Sequence, residues 1–120
     1  MILIVEDDPQ VARLIALVLQ RSGFKTETVA DGHSALQRTR ELRPALVFAD
    51  LSIHGMGGDA LCSTLKADPG TRAIPFVVLS GDPDIAEKAR ACGADDHLGK
   101  PFEFDDLVRI VKQHAADPSR

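Results

Sequence analysis

The chain has 120 residues, 44% of them apolar and 27% charged, with a formal net charge of −4. That length suits one domain with one core, and the acidic balance gives no basic surface for a phosphate backbone, so no direct nucleic-acid binding is expected. No apolar run reaches the ~18–20 residues of a membrane span, and Met1 to Val5 is too short for a signal-peptide core, so a cytosolic protein without membrane attachment is expected.

Ile2 to Val5 is a continuous apolar run halted by acids, which reads as a buried strand. Pro9 stands where a helix starts, with Asp8 as its N-cap. Val11, Leu14, Ile15, Val18 and Leu19 follow at helical spacing until Gly23 stops them. Lys25 to Val29 alternates like a strand, and Asp31-Gly32 turns the chain. His33 to Leu42 reads as a helix with Ala35, Leu36 and Thr39 inward, ended by Pro44. Ala45 to Ala49 is a second buried strand, ended by Asp50.

A loop with Gly55, Gly57 and Gly58 leads to a helix over about Asp59 to Ala67, which Asp68-Pro69-Gly70 breaks. Pro75 to Leu79 is a third buried strand, ended by Ser80-Gly81. Asp84 to Ala91 is a short helix with Ile85 and Ala89 inward. Asp95 to Leu98 is a weak strand closed by Lys100-Pro101. Phe104, Leu107, Val108 and Val111 mark the last helix. Strand and helix thus alternate five times, which predicts a parallel sheet with helices on both faces. The domain is placed at residues 1–116, and residues 117–120 read as a tail or the start of a linker. Cys62 and Cys92 lack metal-type spacing and read as small apolar residues on helix faces.

In an open parallel sheet, ligands bind beyond the carboxyl ends of the strands. The residues that follow the strands are therefore informative. Glu6, Asp7 and Asp8 come after the first, Asp50 after the third, Ser80 after the fourth and Lys100 after the fifth. Acids gathered at one rim repel one another, and a hard divalent cation removes that cost. Mg²⁺ takes oxygen ligands, few of them carboxylates. Asp7 and Asp50 suit direct ligation, Glu6 ligation through water, and the Ser52 carbonyl can complete the set. Asp50 can then attack a phosphoryl group as an oxygen nucleophile. Lys100 can pair with the phosphoryl oxygens, the Ser80 hydroxyl can donate to another, and loop N–H groups can cradle the rest.

Four segments carry a resemblance: Ile2-Leu-Ile-Val-Glu-Asp-Asp8, Val47-Phe-Ala-Asp-Leu51, Val77-Val-Leu-Ser-Gly81 and Lys100-Pro-Phe102. In that order, each at a strand end, they resemble the receiver domain of two-component response regulators, of the chemotaxis-regulator kind, along nearly the whole chain. The resemblance implies a flavodoxin-like doubly wound (βα)5 fold with strand order 2-1-3-4-5. It implies phosphoryl transfer to Asp50 from a histidine kinase or a histidine phosphotransfer protein, with Mg²⁺ at Glu6, Asp7 and the Ser52 carbonyl. It also implies a switch, in which Ser80 moves toward the phosphoryl group and an aromatic side chain in the last strand turns inward. The fourth helix, fifth strand and fifth helix would then meet a downstream protein, an output domain or a second copy of the chain.

Three positions depart from the family pattern. The aromatic switch position holds His97, the common proline four after the acceptor is His54, and Gly55-Met-Gly-Gly58 lacks an acid before its last glycine. Ser52 and Asp82 match positions that tune phosphoryl hydrolysis. Taken singly, most of these residues have plainer roles. Asp8 is a helix cap, Ser80 a turn residue, Lys100 a solvated lysine, His54 a loop residue, and Asp95 and Asp96 caps or solvated acids. Two rival functions share the pattern. A Mg²⁺-dependent phosphatase of the haloacid-dehalogenase kind needs a second Asp two after the first, where this chain has Ser52. A phosphorylation-independent interaction module is the other.

Overall fold

The computed structural model describes residues 1–115, so the expected tail at 117–120 lies outside the described residues. The elements run β1 (Ile2–Val5), α1 (Pro9–Arg21), β2 (Thr26–Val29), α2 (Gly32–Leu42), β3 (Leu46–Asp50), α3 (Gly58–Ala67), β4 (Phe76–Ser80), α4 (Ile85–Cys92), β5 (Asp96–Gly99) and α5 (Phe104–His114). Every pairing is parallel and the sheet order is β2-β1-β3-β4-β5, the flavodoxin-like order that the resemblance implied.

The unbroken apolar runs of the three central strands follow from this topology. Each strand is covered on both faces, so successive side chains, which point to opposite sides, both enter a core. Leu3, Val5, Val47, Ala49, Phe76 and Val78 face one layer, with Ala35, Leu61, Leu65 and Ile85 from α2, α3 and α4. Ile2, Ile4, Leu46, Phe48, Val77 and Leu79 face the other, with Ile15, Leu19, Leu107 and Val111 from α1 and α5. The edge strand β2 is only half-buried, and its Thr-Glu-Thr-Val composition matches that position.

Local chemistry sets the element ends that matter for the rim. The Asp8 carboxylate accepts hydrogen bonds from the backbone N–H of Gln10 (2.9 Å) and Val11 (3.4 Å), so α1 starts just past β1 with Pro9 in its first turn. Asp31 caps α2 the same way, accepting from the Ser34 amide at 2.7 Å. Asp50 and Ser80 prove to be the last residues of β3 and β4 rather than the first residues after them.

On α5 the buried face is Leu107, Ile110 and Val111, whereas Phe104, one of the residues that marked this helix, is 49% exposed. It lies on the first turn and lines a shallow surface groove with Val11, Leu14 and Phe102. Asp95 and Asp96, expected to cap or solvate, instead tie elements together. Asp95 accepts from the Phe76 amide and the Lys66 ammonium, and Asp96 pairs with His114 of α5 at 2.8 Å.

Candidate functional site

The carboxyl rim of the sheet brings together residues from three strand ends. Asp50 closes β3 and is 3% exposed, Glu6 follows β1 and is 4% exposed, and Lys100 follows β5. The Lys100 ammonium donates to Asp50 Oδ2 and lies 3.4 Å from Glu6 Oε1. The other oxygen of each carboxylate is also held. Asp50 Oδ1 accepts from the Ser52 amide (2.9 Å) and the Ser52 hydroxyl (2.8 Å). Glu6 Oε2 accepts from the amides of Asp7 (3.0 Å) and Asp8 (3.4 Å).

These contacts set the charge state of the site. Burial raises the proton affinity of Asp50. The Lys100 hydrogen bond and charge, together with the two Ser52 donors, outweigh it and hold the carboxyl below its ordinary value. Glu6 goes the other way. Burial, then the neighbouring Asp50 charge, push it up to about 7 despite Lys100 and the Asp8 amide. For Lys100, burial works against the ammonium, but Asp50 and Glu6 raise its pKa overall.

A pair of buried carboxylates, one of them resisting ionisation because of burial and then of the other's charge, is a place where a divalent cation relieves repulsion. The donors are all oxygens, which fits Mg²⁺. Among the described residues no three His, Cys, Asp or Glu side chains form a ready-made metal cluster. The arrangement therefore suits an ion that takes few carboxylates and keeps several waters.

The remaining expected residues lie on the adjoining loops and strands. Asp7 follows Glu6, and its Oδ2 lies 2.7 Å from Nδ1 of His54. Ser52, expected at the site through its carbonyl, touches Asp50 through its amide and hydroxyl. The Ser80 hydroxyl accepts from the Asp82 amide at 2.9 Å, which turns the chain out of β4. His97 stands apart on β5, in register with Val78 and behind the Ser80–Gly99 pair. Two features were not foreseen. His54, taken for a plain loop residue, engages Asp7. Gly58, taken to serve turn geometry, is required by close approach, since a Cβ there would stand 2.4 Å from the Asp50 carbonyl oxygen.

A doubly wound parallel sheet with buried acids and a lysine at its carboxyl rim defines a receiver-like module. Residues 2–112 match the family model of the response regulator receiver domain, and the chain belongs to that family. It is 42% identical over 113 residues to the DNA-binding response regulator MtrA of Mycolicibacterium smegmatis, covering 92% of this chain and 48% of that one. The chain thus spans about half the length of the curated relatives it matches.

Among solved structures, a response regulator from Chloroflexus aurantiacus superposes with a TM-score of 0.91 at 34% identity, covering 99% of this chain and 97% of that one. The receiver domain of the sensor histidine kinase PA1611 of Pseudomonas aeruginosa, with a magnesium ion coordinated in its active-site cleft, superposes with a TM-score of 0.86 at 28% identity. The match covers 94% of each chain.

These relatives correct one expectation. The acidic balance of the chain was taken to exclude direct nucleic-acid binding, yet MtrA is a DNA-binding response regulator. A net charge of −4 describes only these 120 residues, and MtrA is about twice as long as the stretch they match.

Proposed function

We propose that the domain is a phosphoacceptor switch in which Asp50 takes a phosphoryl group from a phosphohistidine on a histidine kinase or phosphotransfer protein. The observation that carries this reading is the handling of Asp50. Its carboxylate is buried, kept ionised, and gripped by a lysine on one oxygen and by Ser52 on the other. A buried carboxylate held anionic and oriented is a prepared nucleophile.

Asp50 Oδ attacks the phosphorus, the phosphorus–nitrogen bond to the donor imidazole breaks, and the imidazole keeps the electron pair and takes up a proton. Lys100 then exchanges the Asp50 carboxylate for a phosphoryl oxygen, so its charge follows the charge being transferred. Glu6, Asp7, Asp50 and the Ser52 carbonyl would hold Mg²⁺, and the magnesium in the PA1611 receiver domain supports this. When bound, the ion supplies positive charge to the phosphoryl oxygens.

The Ser80 hydroxyl, which accepts from the Asp82 amide, would turn to a phosphoryl oxygen. His97, two positions before the Ser80 level on the neighbouring strand, would relay that movement to the face of α4, β5 and α5. That face would meet a downstream protein, an output domain or a second copy, in the cytoplasm where such kinases act.

Incubation with acetyl phosphate and Mg²⁺, followed by intact-mass measurement, tests the reading. Wild type should gain one phosphoryl group, and Asp50→Asn or removal of Mg²⁺ should abolish the gain. No gain in wild type favours an interaction module that works without phosphorylation.

A further inference from the structure

We infer that His54 is a positioning residue that fixes the orientation of the Asp7 carboxylate for divalent-cation binding, an inference that rests on the metal-dependent phosphoacceptor reading above.

The three acids at the rim are treated alike. Asp50 has Oδ1 pinned by Ser52, and Glu6 has Oε2 pinned by two backbone amides. Asp7 has Oδ2 pinned by Nδ1 of His54 at 2.7 Å. In each case one oxygen of the carboxylate is held against a neighbouring group, by hydrogen bonds for Asp50 and Glu6 and by a close charged contact for Asp7. Asp7 differs in that its partner is a side chain reaching across from another loop.

The loop is built to hold that side chain in place. The backbone of His54 bridges to Asp31, the residue that caps α2. Gly55 follows in the left-handed region at φ 71°, a conformation that glycine adopts freely. Next, Met56 packs directly on Gly32, where a Cβ would stand 2.2 Å from the Met56 carbonyl oxygen. The β3–α3 loop is therefore seated on the start of α2. Although the side chain is 86% exposed, its root is fixed, which explains how an exposed side chain keeps its contact with Asp7.

A hydrogen-bonded outer partner fixes the rotamer of a ligating carboxylate before the ion arrives, so less freedom is lost on binding. Such partners are typically worth about 10- to 100-fold in metal affinity. Because this one is exposed, the smaller end of that range is expected. The role needs a donor at the Nδ1 position, and an asparagine amide supplies one at similar reach.

Calorimetric titration with Mg²⁺, repeated with Mn²⁺ by electron paramagnetic resonance, tests the inference on wild type, Asp7→Ala, His54→Ala and His54→Asn. The expected result is binding by wild type, loss in Asp7→Ala, roughly tenfold weakening in His54→Ala, and recovery of most of that loss in His54→Asn. Thermal melts of the four proteins establish that each is folded. Wild-type affinity in His54→Ala, alongside loss in Asp7→Ala, overturns the role of His54 and leaves the metal site standing. Equal weakening in His54→Ala and His54→Asn overturns it too, since a donor would then not matter. Absence of binding by wild type overturns both the inference and the metal reading beneath it.

Discussion

At the scale of single residues, the site is governed by two carboxylates that share one ammonium. Their folded-state pKa values move apart, and the consequences for stability have opposite signs. Glu6 titrates near 7 in the folded protein and near 4.5 when unfolded, so between those values the folded state binds the extra proton. Stability therefore falls as pH rises through that window. Asp50 lies below its ordinary 3.8, so its contribution is present above that value and fades as pH drops below it. In metal-free buffer, urea denaturation should show wild type losing stability from pH 5 to 8. Glu6→Gln should be flatter by about 1–2 kcal/mol once screening at the rim is counted. A parallel decline in both proteins would mean that Glu6 is not the titrating group. Lys100→Met should destabilise by about 1–3 kcal/mol at neutral pH, because it leaves two buried carboxylates facing each other. Unchanged stability in that variant would show that the ammonium is not what holds the acids together.

At the scale of elements, much of the architecture was legible in the sequence, for identifiable reasons. Runs such as Phe76 to Leu79 are apolar at every position because both faces of a central strand are covered, and Pro9 and Asp8 mark the start of α1. Glu6, Asp50 and Lys100 were legible because a parallel sheet brings its carboxyl ends to one rim. Contacts between loops were not legible. Nothing local to His54 says that it will reach Asp7, because that contact depends on how the β3–α3 loop seats against α2. Asp95 and Asp96 were misjudged for the same reason, since their partners lie 19 and 18 residues away on other elements. Phe104 marked the last helix by spacing, but spacing did not tell that the first turn of α5 borders a surface groove. The seating of the loop gives a test at this scale. Gly32→Ala forces Met56 back and should cost about 1–3 kcal/mol in thermal or urea unfolding. It should also weaken Mg²⁺ binding as His54→Ala does. A Gly32→Ala protein with wild-type stability would show that the loop does not rest where the structure places it.

For the whole molecule, one sheet separates two apolar layers that share its strands. α1 and α5 cover one side and α2, α3 and α4 the other. Phe48 fills the first layer and Phe76 the second, each about 1% exposed. Because every central strand contributes to both layers, neither can be lost alone. Phe48→Ala should cost about 3–5 kcal/mol and unfold the domain in a single transition. Two separated transitions in urea would contradict that coupling. The same construction serves the proposed switch, since Ser80 at the end of β4 and His97 on β5 sit on adjacent paired strands. The claim on which this picture depends is that Asp50 is where the phosphoryl group lands. Its most direct test is to charge the protein from a phosphohistidine donor with Mg²⁺, trap the acyl phosphate by borohydride reduction, and map the modified peptide. Modification confined to the peptide position of Asp50 is the predicted result. Modification at another carboxylate, or none while the donor loses its phosphoryl group to water, would contradict it.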